Sequence, residues 1–135
     1  MEAWEKWWQM AQDSLASAQL LQQHGHYRAS ASRSYYSAYQ AVTAILLYQK
    51  QTPPDGREAW SHAATPEHMR NMSETALSHN AGKEVALRLE ASYELRIVAD
   101  YIGAVDMEES KLKASLKDTG FIIKLAREIL PKGQT

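Results

Sequence analysis

The chain has 135 residues, a formal net charge of −1 and a sequence pI of about 6.5. This length suffices for one domain with a hydrophobic core, and the charge gives no global field that would draw the protein to nucleic acid or anionic lipid, so nucleic-acid binding requires a local patch. The absence of cysteine excludes disulfides, thiolate metal sites and cysteine nucleophiles. We find neither a membrane-spanning run nor a signal-peptide core and therefore expect a soluble, cytoplasmic protein.

The composition favours helices, because Ala, Leu, Glu, Gln and Lys are abundant and β-branched residues rarely cluster. Apolar residues recur every three or four positions, and no segment shows the alternation of a strand. In the first segment this stripe comprises Trp4, Trp8, Ala11, Leu15 and Ala18. It predicts a first helix, and Gly25 between two histidines predicts the break that follows it.

A second helix and a short third helix follow. The second helix has its stripe at Ala31, Tyr35, Ala38, Val42 and Ile45. The segment 51–60, with two prolines and an Asp-Gly pair, predicts the longest loop. Thr65 as N-cap and Pro66 at the first helical position predict the start of the third helix, and the sequence NAG at 80–82 predicts its end.

The fourth and fifth helices complete the predicted fold. The fourth helix has its stripe at Leu89, Tyr93, Ile97 and Tyr101. Gly103 predicts its end, Asp106 with Glu109 predicts a capping box for the fifth helix, and Pro131 predicts the stop of that helix. Five helices joined by mostly short links predict an all-α, antiparallel up-and-down bundle that forms a single domain over residues 1–135.

Charged residues interrupt the apolar stripe of the fourth helix. Arg96 and Asp100 share a face with apolar neighbours, and burying such charges is costly unless they are paired. Arg33 and Tyr36 share a face of the second helix and are candidate partners for Asp100. Two interpretations remain open: a structural network of ion pairs and tyrosine hydrogen bonds, or a functional pocket. In both, the Tyr35 and Tyr36 hydroxyls point at the Arg96–Asp100 pair.

The stretch HYRASASRSYYSAYQAVTAILLYQK, the dipeptide SH at 61–62 and the stretch ELRIVADY together resemble small stand-alone proteins of the HEPN superfamily, over roughly residues 15 to 125. The matching positions are Arg33, Tyr35 and Tyr36 in an R-x-Y-Y motif, Arg96, Asp100 and Tyr101 in an R-x-x-A-D-Y motif, and His62 as the lone loop histidine between them. The resemblance implies a helical bundle, homodimers and, often, a nucleotidyltransferase partner in a toxin–antitoxin pair. It also implies ribonuclease activity without metal in many members.

The catalytic signature of the HEPN family is an arginine followed, after four to six residues, by a histidine. The resemblance places Arg96 at the arginine, where it would stabilise charge on a phosphate, but Tyr101 stands at the histidine position. A tyrosine with a pKa of about 10 is a poor base near neutral pH, so enzymatic activity stays uncertain. The catalytic candidates are Arg96 and Tyr101, or Arg96 with a histidine from elsewhere. The spacing also fits Arg57 and His62, in the wrong place for the family.

No metal or cofactor is expected. The five histidines lack the helical spacing of metal ligands, and there is neither an HExxH motif nor a glycine-rich phosphate loop. A basic face of the fifth helix is typical of a solvated surface, with phosphate contact as the alternative. This face comprises Lys113, Lys117, Lys124 and Arg127.

These observations lead to one predicted function and two alternatives. The prediction is a HEPN-like helical module in a nucleotide- or RNA-linked system, paired with a nucleotidyltransferase in a toxin–antitoxin module. The alternatives are a metal-independent HEPN ribonuclease toxin and a purely structural dimerising protein. The expected partners are a second copy of the chain, the nucleotidyltransferase, and RNA or a nucleotide, with no membrane. The predicted binding residues are Arg33, Tyr35, Tyr36, His62, Arg96, Asp100 and Tyr101.

Overall fold

A computed structural model describes residues 1–72 and 79–132. Within those ranges the chain forms five α-helices and one short 3-10 helix, Pro54–Gly56, and contains no strand. The α-helices are α1 (Ala3–Gln23), α2 (Tyr27–Tyr48), α3 (Ala64–Arg70), α4 (His79–Tyr101) and α5 (Glu109–Ile129). The prediction of an all-α helical fold is therefore confirmed.

Helix α2 is the central element, against which the other four helices pack. It follows α1 across a tight turn at Gly25, whose φ of 77° is a left-handed conformation that glycine adopts without strain. The two helices run antiparallel, and α2 serines bond to α1 carbonyls: Ser30 donates to Ala18 and Ser37 to Ala11, both at 2.7 Å. Small α2 side chains thus allow close contact with α1.

The other two long helices, α4 and α5, pack on α2 and on each other. Helix α4 is antiparallel to it, because the first turn of α2 meets the last turn of α4: Arg28 donates to the carbonyls of Val98 and Ala99. Helix α5 is parallel to it, because Tyr27 donates to Glu109 and Ser34 contacts Thr119 further along both helices. The neighbours α4 and α5 are antiparallel, which completes the up-and-down order.

The core is apolar and centred on α2. Fully buried large side chains come from four helices: Tyr35, Val42, Ile45, Leu46, Met69, Val85, Leu89, Ile122 and Ile123. Burying an aliphatic side chain of this size contributes roughly 1.5–3 kcal/mol. These contacts hold α2, α4 and α5 at fixed spacing and so fix the polar groups between them.

Between α2, α4 and α5 runs a line of buried hydroxyls, here called the hydroxyl seam and formed by Ser34, Ser92, Ser115 and Thr119. The Ser34 and Thr119 hydroxyls lie 2.8 Å apart, and those of Ser92 and Ser115 lie 3.1 Å apart. Thr119 also donates to the Ser34 carbonyl at 3.1 Å. All four residues are buried, and they satisfy one another without a charge.

Two predicted helix boundaries around α3 are wrong. Helix α3 begins at Ala64, before Thr65, whose hydroxyl donates to the Ser61 carbonyl at 2.8 Å and does not cap the helix. Residues 80–82 lie inside α4 and do not end α3. A Cβ on Gly82 would lie 2.7 Å from the Met69 carbonyl oxygen, so this glycine permits close approach of α4 to α3.

For α4 and α5, the predicted start of α5 is wrong and the predicted ends of both helices are confirmed. The predicted capping box of Asp106 with Glu109 is wrong, because Glu108 is the N-cap of α5 and makes no side-chain cap hydrogen bond. The predicted stops are confirmed: α4 ends at Tyr101, two residues before Gly103, and α5 ends at Ile129, two residues before Pro131. Among the described helices, none has both the length and the apolarity to cross a membrane.

Candidate functional site

The antiparallel contact between α2 and α4 brings Arg96 against Tyr36. Nη2 of Arg96 donates to the Tyr36 hydroxyl at 3.0 Å, and Nε lies 2.8 Å from Oδ2 of Asp100, one turn further along α4. The Arg96 side chain is 13% exposed and the Asp100 side chain 28%. We call Arg33, Tyr36, Arg96, Asp100 and Tyr101 the Arg96 cluster.

Two guanidiniums share the Tyr36 ring. Cζ of Arg33 lies 4.9 Å from the ring centroid and Cζ of Arg96 lies 5.3 Å from it, both within cation–π range. The predicted contact of Arg33 with Asp100 does not form, since Arg33 lies one turn from Tyr36 on the same helix and packs on its ring. Asp100 instead accepts a hydrogen bond from Ser32 at 3.2 Å.

The Arg96 guanidinium stays charged. Burial acts to lower its pKa, but Tyr36, Asp100 and Tyr101 together outweigh burial and raise the pKa above its ordinary value. Although Nε is close to Asp100, no acceptor of the described residues is aligned with its N–H, so the two groups form an ion pair without a hydrogen bond. Nη1 donates to none of the described residues.

Tyr101 forms the outer edge of the cluster. Its ring centroid lies 5.4 Å from Cζ of Arg96, and the residue is 69% exposed at the last position of α4. The structure therefore brings Tyr101 next to Arg96, as the motif predicts, but holds it at the surface.

Two neighbouring tyrosines of α2 direct their hydroxyls elsewhere. Tyr35 is fully buried, and its hydroxyl lies 2.5 Å from Nδ1 of His62. Burial raises the pKa of Tyr35 far above its ordinary value, so its hydroxyl stays neutral. Tyr39 donates to the Trp60 carbonyl at 2.5 Å. Of the two tyrosines predicted to face the Arg96–Asp100 pair, Tyr36 alone does so.

His62, from the loop before α3, lies among tyrosine rings. The centroid distances from its ring are 4.7 Å to Tyr39, 5.4 Å to Tyr35, 5.8 Å to Tyr93 and 6.0 Å to Tyr36. Burial lowers the pKa of His62, and the charge of Arg96 lowers it further. The imidazole is therefore neutral near neutral pH, and the Tyr36 ring contacts both it and Arg96.

The formal pairing of Arg57 with His62 does not form a site. Arg57 lines a different pocket, beside Trp7 and Met10 of α1, whereas His62 faces the tyrosines of α2 and α4. In the described part of the chain, no group of three His, Cys, Asp or Glu side chains is placed to hold a metal ion. On the basic face of α5, Lys113 pairs with Glu109 at 3.0 Å, while Lys124 is exposed.

A pocket of about 310 Å³ opens beside His62. Its lining comes from α2, the start of α3 and α4: Tyr35, His62, Ala63, Pro66, Leu89, Glu90, Tyr93 and Glu94. Glu90 is paired with Arg70 at 2.5 Å, but no cation of the described residues lies within ion-pair distance of Glu94. Sequence analysis missed both glutamates, because their spacing of four is common on solvated helix faces and the opposite wall comes from a distant loop.

A comparison with known protein families identifies the family of this chain. The sequence model of the HEPN domain family matches residues 4–130 of this chain. No curated protein gives a significant match.

Proposed function

The chain belongs to the HEPN domain family, a helical module linked to nucleotides and RNA, and on that premise we propose that its Arg96 cluster binds a phosphate group of RNA or of a nucleotide. The observation that carries the proposal is the charge balance at the Tyr36 ring. Arg33 and Arg96 both lie on this ring, and Asp100 is the one carboxylate of the described residues within ion-pair distance of either. The cluster therefore keeps a net positive charge.

Partial burial makes this charge effective. A guanidinium that is 13% exposed interacts with an anion at a lower effective dielectric than a fully solvated one does. The hydrogen bond to Tyr36 and the ion pair with Asp100 fix the orientation of Arg96 before a ligand arrives, which reduces the entropy cost of binding. A phosphate presents acceptors that match the guanidinium donors.

The test is a fluorescence-anisotropy titration of a short, labelled single-stranded RNA with the wild type and two variants. Arg96→Gln is expected to weaken binding by on the order of tenfold, because one charge-assisted hydrogen bond contributes roughly 1.5–3 kcal/mol. Lys124→Gln removes an exposed lysine of α5 outside the cluster and is expected to leave binding unchanged. Equal weakening by both variants, or no binding by the wild type, would overturn the proposal.

We extend the proposal to the partners. As a homodimer, the chain forms a toxin–antitoxin pair with a small nucleotidyltransferase encoded in the adjacent reading frame. Membership of the HEPN domain family supports this pairing. Co-expression followed by affinity purification is expected to recover both chains in one complex. Recovery of this chain alone, with the partner present and folded, would overturn the pairing but leave the phosphate site untouched.

A second candidate function, metal-independent ribonuclease activity, is favoured by the position of His62. Tyr101 stands where the family pattern has a histidine. In this candidate function His62 takes that role, because His62 and Arg96 contact the same Tyr36 ring. The neutral imidazole of His62 accepts the proton of a 2′-hydroxyl while the 2′-oxygen attacks phosphorus and the bond from phosphorus to the 5′-oxygen breaks. The leaving 5′-oxygen takes a proton from water, and Arg96 stabilises the charge on the phosphate.

The ribonuclease candidate is tested by incubating RNA with the purified protein in the presence of a metal chelator. Cleavage is expected in the wild type, loss of cleavage in Arg96→Gln and His62→Gln, and full activity in His68→Gln, which alters an exposed histidine of α3. A folded wild type that leaves the RNA intact would exclude this candidate. The phosphate-binding proposal would still stand.

A further inference from the structure

We propose that the pocket beside His62 binds a guanine base and makes the chain selective for guanine nucleotides. This inference rests on the proposed function, because the phosphate of the same ligand would lie on the Arg96 cluster. The Tyr36 ring links the two places: its centroid lies 6.0 Å from that of His62 and 5.3 Å from Cζ of Arg96. A base and its phosphate can thus be held on either side of one ring.

The walls of the pocket suit a flat aromatic ligand. His62 and Tyr93 contribute partly exposed rings, the buried residues Tyr35, Pro66 and Leu89 form the base of the pocket, and the volume of about 310 Å³ exceeds that of a purine base. The His62 and Tyr93 rings pack on each other nearly in parallel, with a centroid distance of 5.8 Å and an interplanar angle of 25°. Stacking of a base on such side chains contributes roughly 1–3 kcal/mol.

Glu94 supplies the specific polar group. It lines the pocket, and no cation of the described residues neutralises it, whereas the second carboxylate, Glu90, is already paired with Arg70. A carboxylate accepts hydrogen bonds through both oxygens and donates none. A ligand edge with two adjacent N–H donors matches both oxygens of Glu94 at once.

The charge around the pocket disfavours an organic cation as this ligand. Arg96 and Arg33 both contact the Tyr36 ring, which also contacts His62. The charge of Arg96 acts on His62, whose pKa it lowers. A fixed positive charge in the pocket would meet the same repulsion. A neutral base that presents N–H donors gains the hydrogen bonds to Glu94 without bringing a charge.

Of the four common bases, guanine alone presents two adjacent donors, N1–H and the exocyclic amine at C2. Adenine and cytosine place a ring-nitrogen acceptor beside their amine, and uracil places a carbonyl on each side of its one N–H. Each of these acceptors would face a carboxylate oxygen of Glu94. Guanine is therefore favoured over the other three bases, whose acceptors would be repelled by the Glu94 carboxylate.

The experiment measures competition of 5′-mononucleotides against the labelled RNA for the full chain. GMP is expected to displace the RNA at concentrations on the order of tenfold lower than AMP, CMP or UMP, as one charged hydrogen bond implies. IMP, which lacks the amine at C2, is expected to lose most of this advantage. Glu94→Gln should remove the preference for GMP yet retain binding of a uridine-only RNA, and Glu128→Gln, the matched exposed control, should change neither.

The outcomes separate this inference from the proposed function. Equal competition by all mononucleotides, or a GMP preference that persists in Glu94→Gln, would overturn the guanine site while leaving the phosphate site intact. Spermidine that binds in a Glu94-dependent manner in place of GMP would overturn it as well, because the ligand would then be a cation. A wild type that binds no RNA and no nucleotide would overturn both.

Discussion

Two polar regions contact helix α2 and use their polar groups in opposite ways. In the hydroxyl seam, Ser34 and Thr119 are fully buried, uncharged and bonded to each other. In the Arg96 cluster, Arg33 and Arg96 carry charges, are partly exposed and share a single carboxylate, Asp100. The seam satisfies its own hydrogen bonds, whereas the cluster keeps positive charge and donors that its own residues do not use.

The difference separates polar groups that are satisfied within the bundle from polar groups that keep unused charge and donors. Arg28 supports the same distinction, because its guanidinium donates to the α4 carbonyls of Val98 and Ala99 and so caps the end of a helix. Arg88 is likewise used internally, paired with Glu84 at 2.8 Å and Asp118 at 3.0 Å. Arg96 differs from both, because it lies beside a second guanidinium and the two share the single carboxylate of Asp100.

The largest predicted effect is the loss of stability when a hydroxyl is removed from the hydroxyl seam. Thr119→Val is expected to lower the free energy of unfolding by about 1–3 kcal/mol, because it leaves the buried Ser34 hydroxyl with a single long contact to Ser115. RNA affinity should not change. Urea unfolding and the RNA titration measure the two quantities. Thr119→Ser, which keeps the hydroxyl, is the control, and a parallel loss of RNA affinity would contradict the separation of the two regions.

Removing the Arg96 guanidinium should lower RNA affinity more than it lowers the free energy of unfolding. Arg96→Ala is expected to reduce RNA affinity by on the order of tenfold, about 1.4 kcal/mol, while the free energy of unfolding falls by less than about 1 kcal/mol. The stability effect is small because Asp100 remains solvated at 28% exposure. A variant that loses stability as Thr119→Val does and binds RNA normally would show that the cluster is structural, as the alternative of a purely structural dimerising protein requires.

Removing the Asp100 carboxylate should have a smaller effect on RNA affinity and tests the role of charge in the Arg96 cluster. Asp100→Asn removes the carboxylate that offsets Arg96, so RNA affinity should rise by about 0.2–1 kcal/mol, the range for a partly exposed ion pair. Anisotropy titrations at low salt measure this gain. Glu128→Gln, which removes an exposed carboxylate of α5, is the control for net charge. A fall in affinity would contradict this prediction and would mean that Asp100 aids binding, by orienting Arg96 or by contacting the ligand, more than its charge opposes it.

The smallest predicted effect is a pH dependence of stability from His62. Because burial holds the pKa of His62 below 6.5, the unfolded chain takes up the proton first as the pH falls through about 6.5. The free energy of unfolding should therefore decline below that pH and stay level above it. His62→Gln should flatten this decline in urea titrations between about pH 5 and pH 8, and His68→Gln should retain it. An identical slope in both variants would contradict the placement of His62.

Much of the fold could be predicted because its signals are local. Apolar stripes at helical spacing identify the helices, and the four-residue spacing of Arg96 and Asp100 predicts their ion pair within one helix. The R-x-x-A-D-Y motif likewise places Tyr101 beside Arg96. These features depend on the geometry of a single helix, which sequence spacing determines.

The remainder depends on contacts between distant segments. Ser32 and Arg33 differ by one position, about 100° around α2, and this rotation decides which of them reaches Asp100. Nothing local shows that the loop before α3 folds His62 among the tyrosines. Gly82 is a typical stop signal, but its function here is close packing on α3, which a sequence pattern does not distinguish from a helix end.

The salt dependence of RNA binding tests whether Arg33 and Arg96 contact the phosphates of the RNA. We compare the wild type with the Arg33→Gln/Arg96→Gln double variant and plot the logarithm of the association constant against the logarithm of salt concentration. If the two guanidiniums contact phosphate, the slope for the double variant is shallower by about one. Parallel lines for the two proteins would show that neither arginine meets the nucleic acid, and would contradict the account.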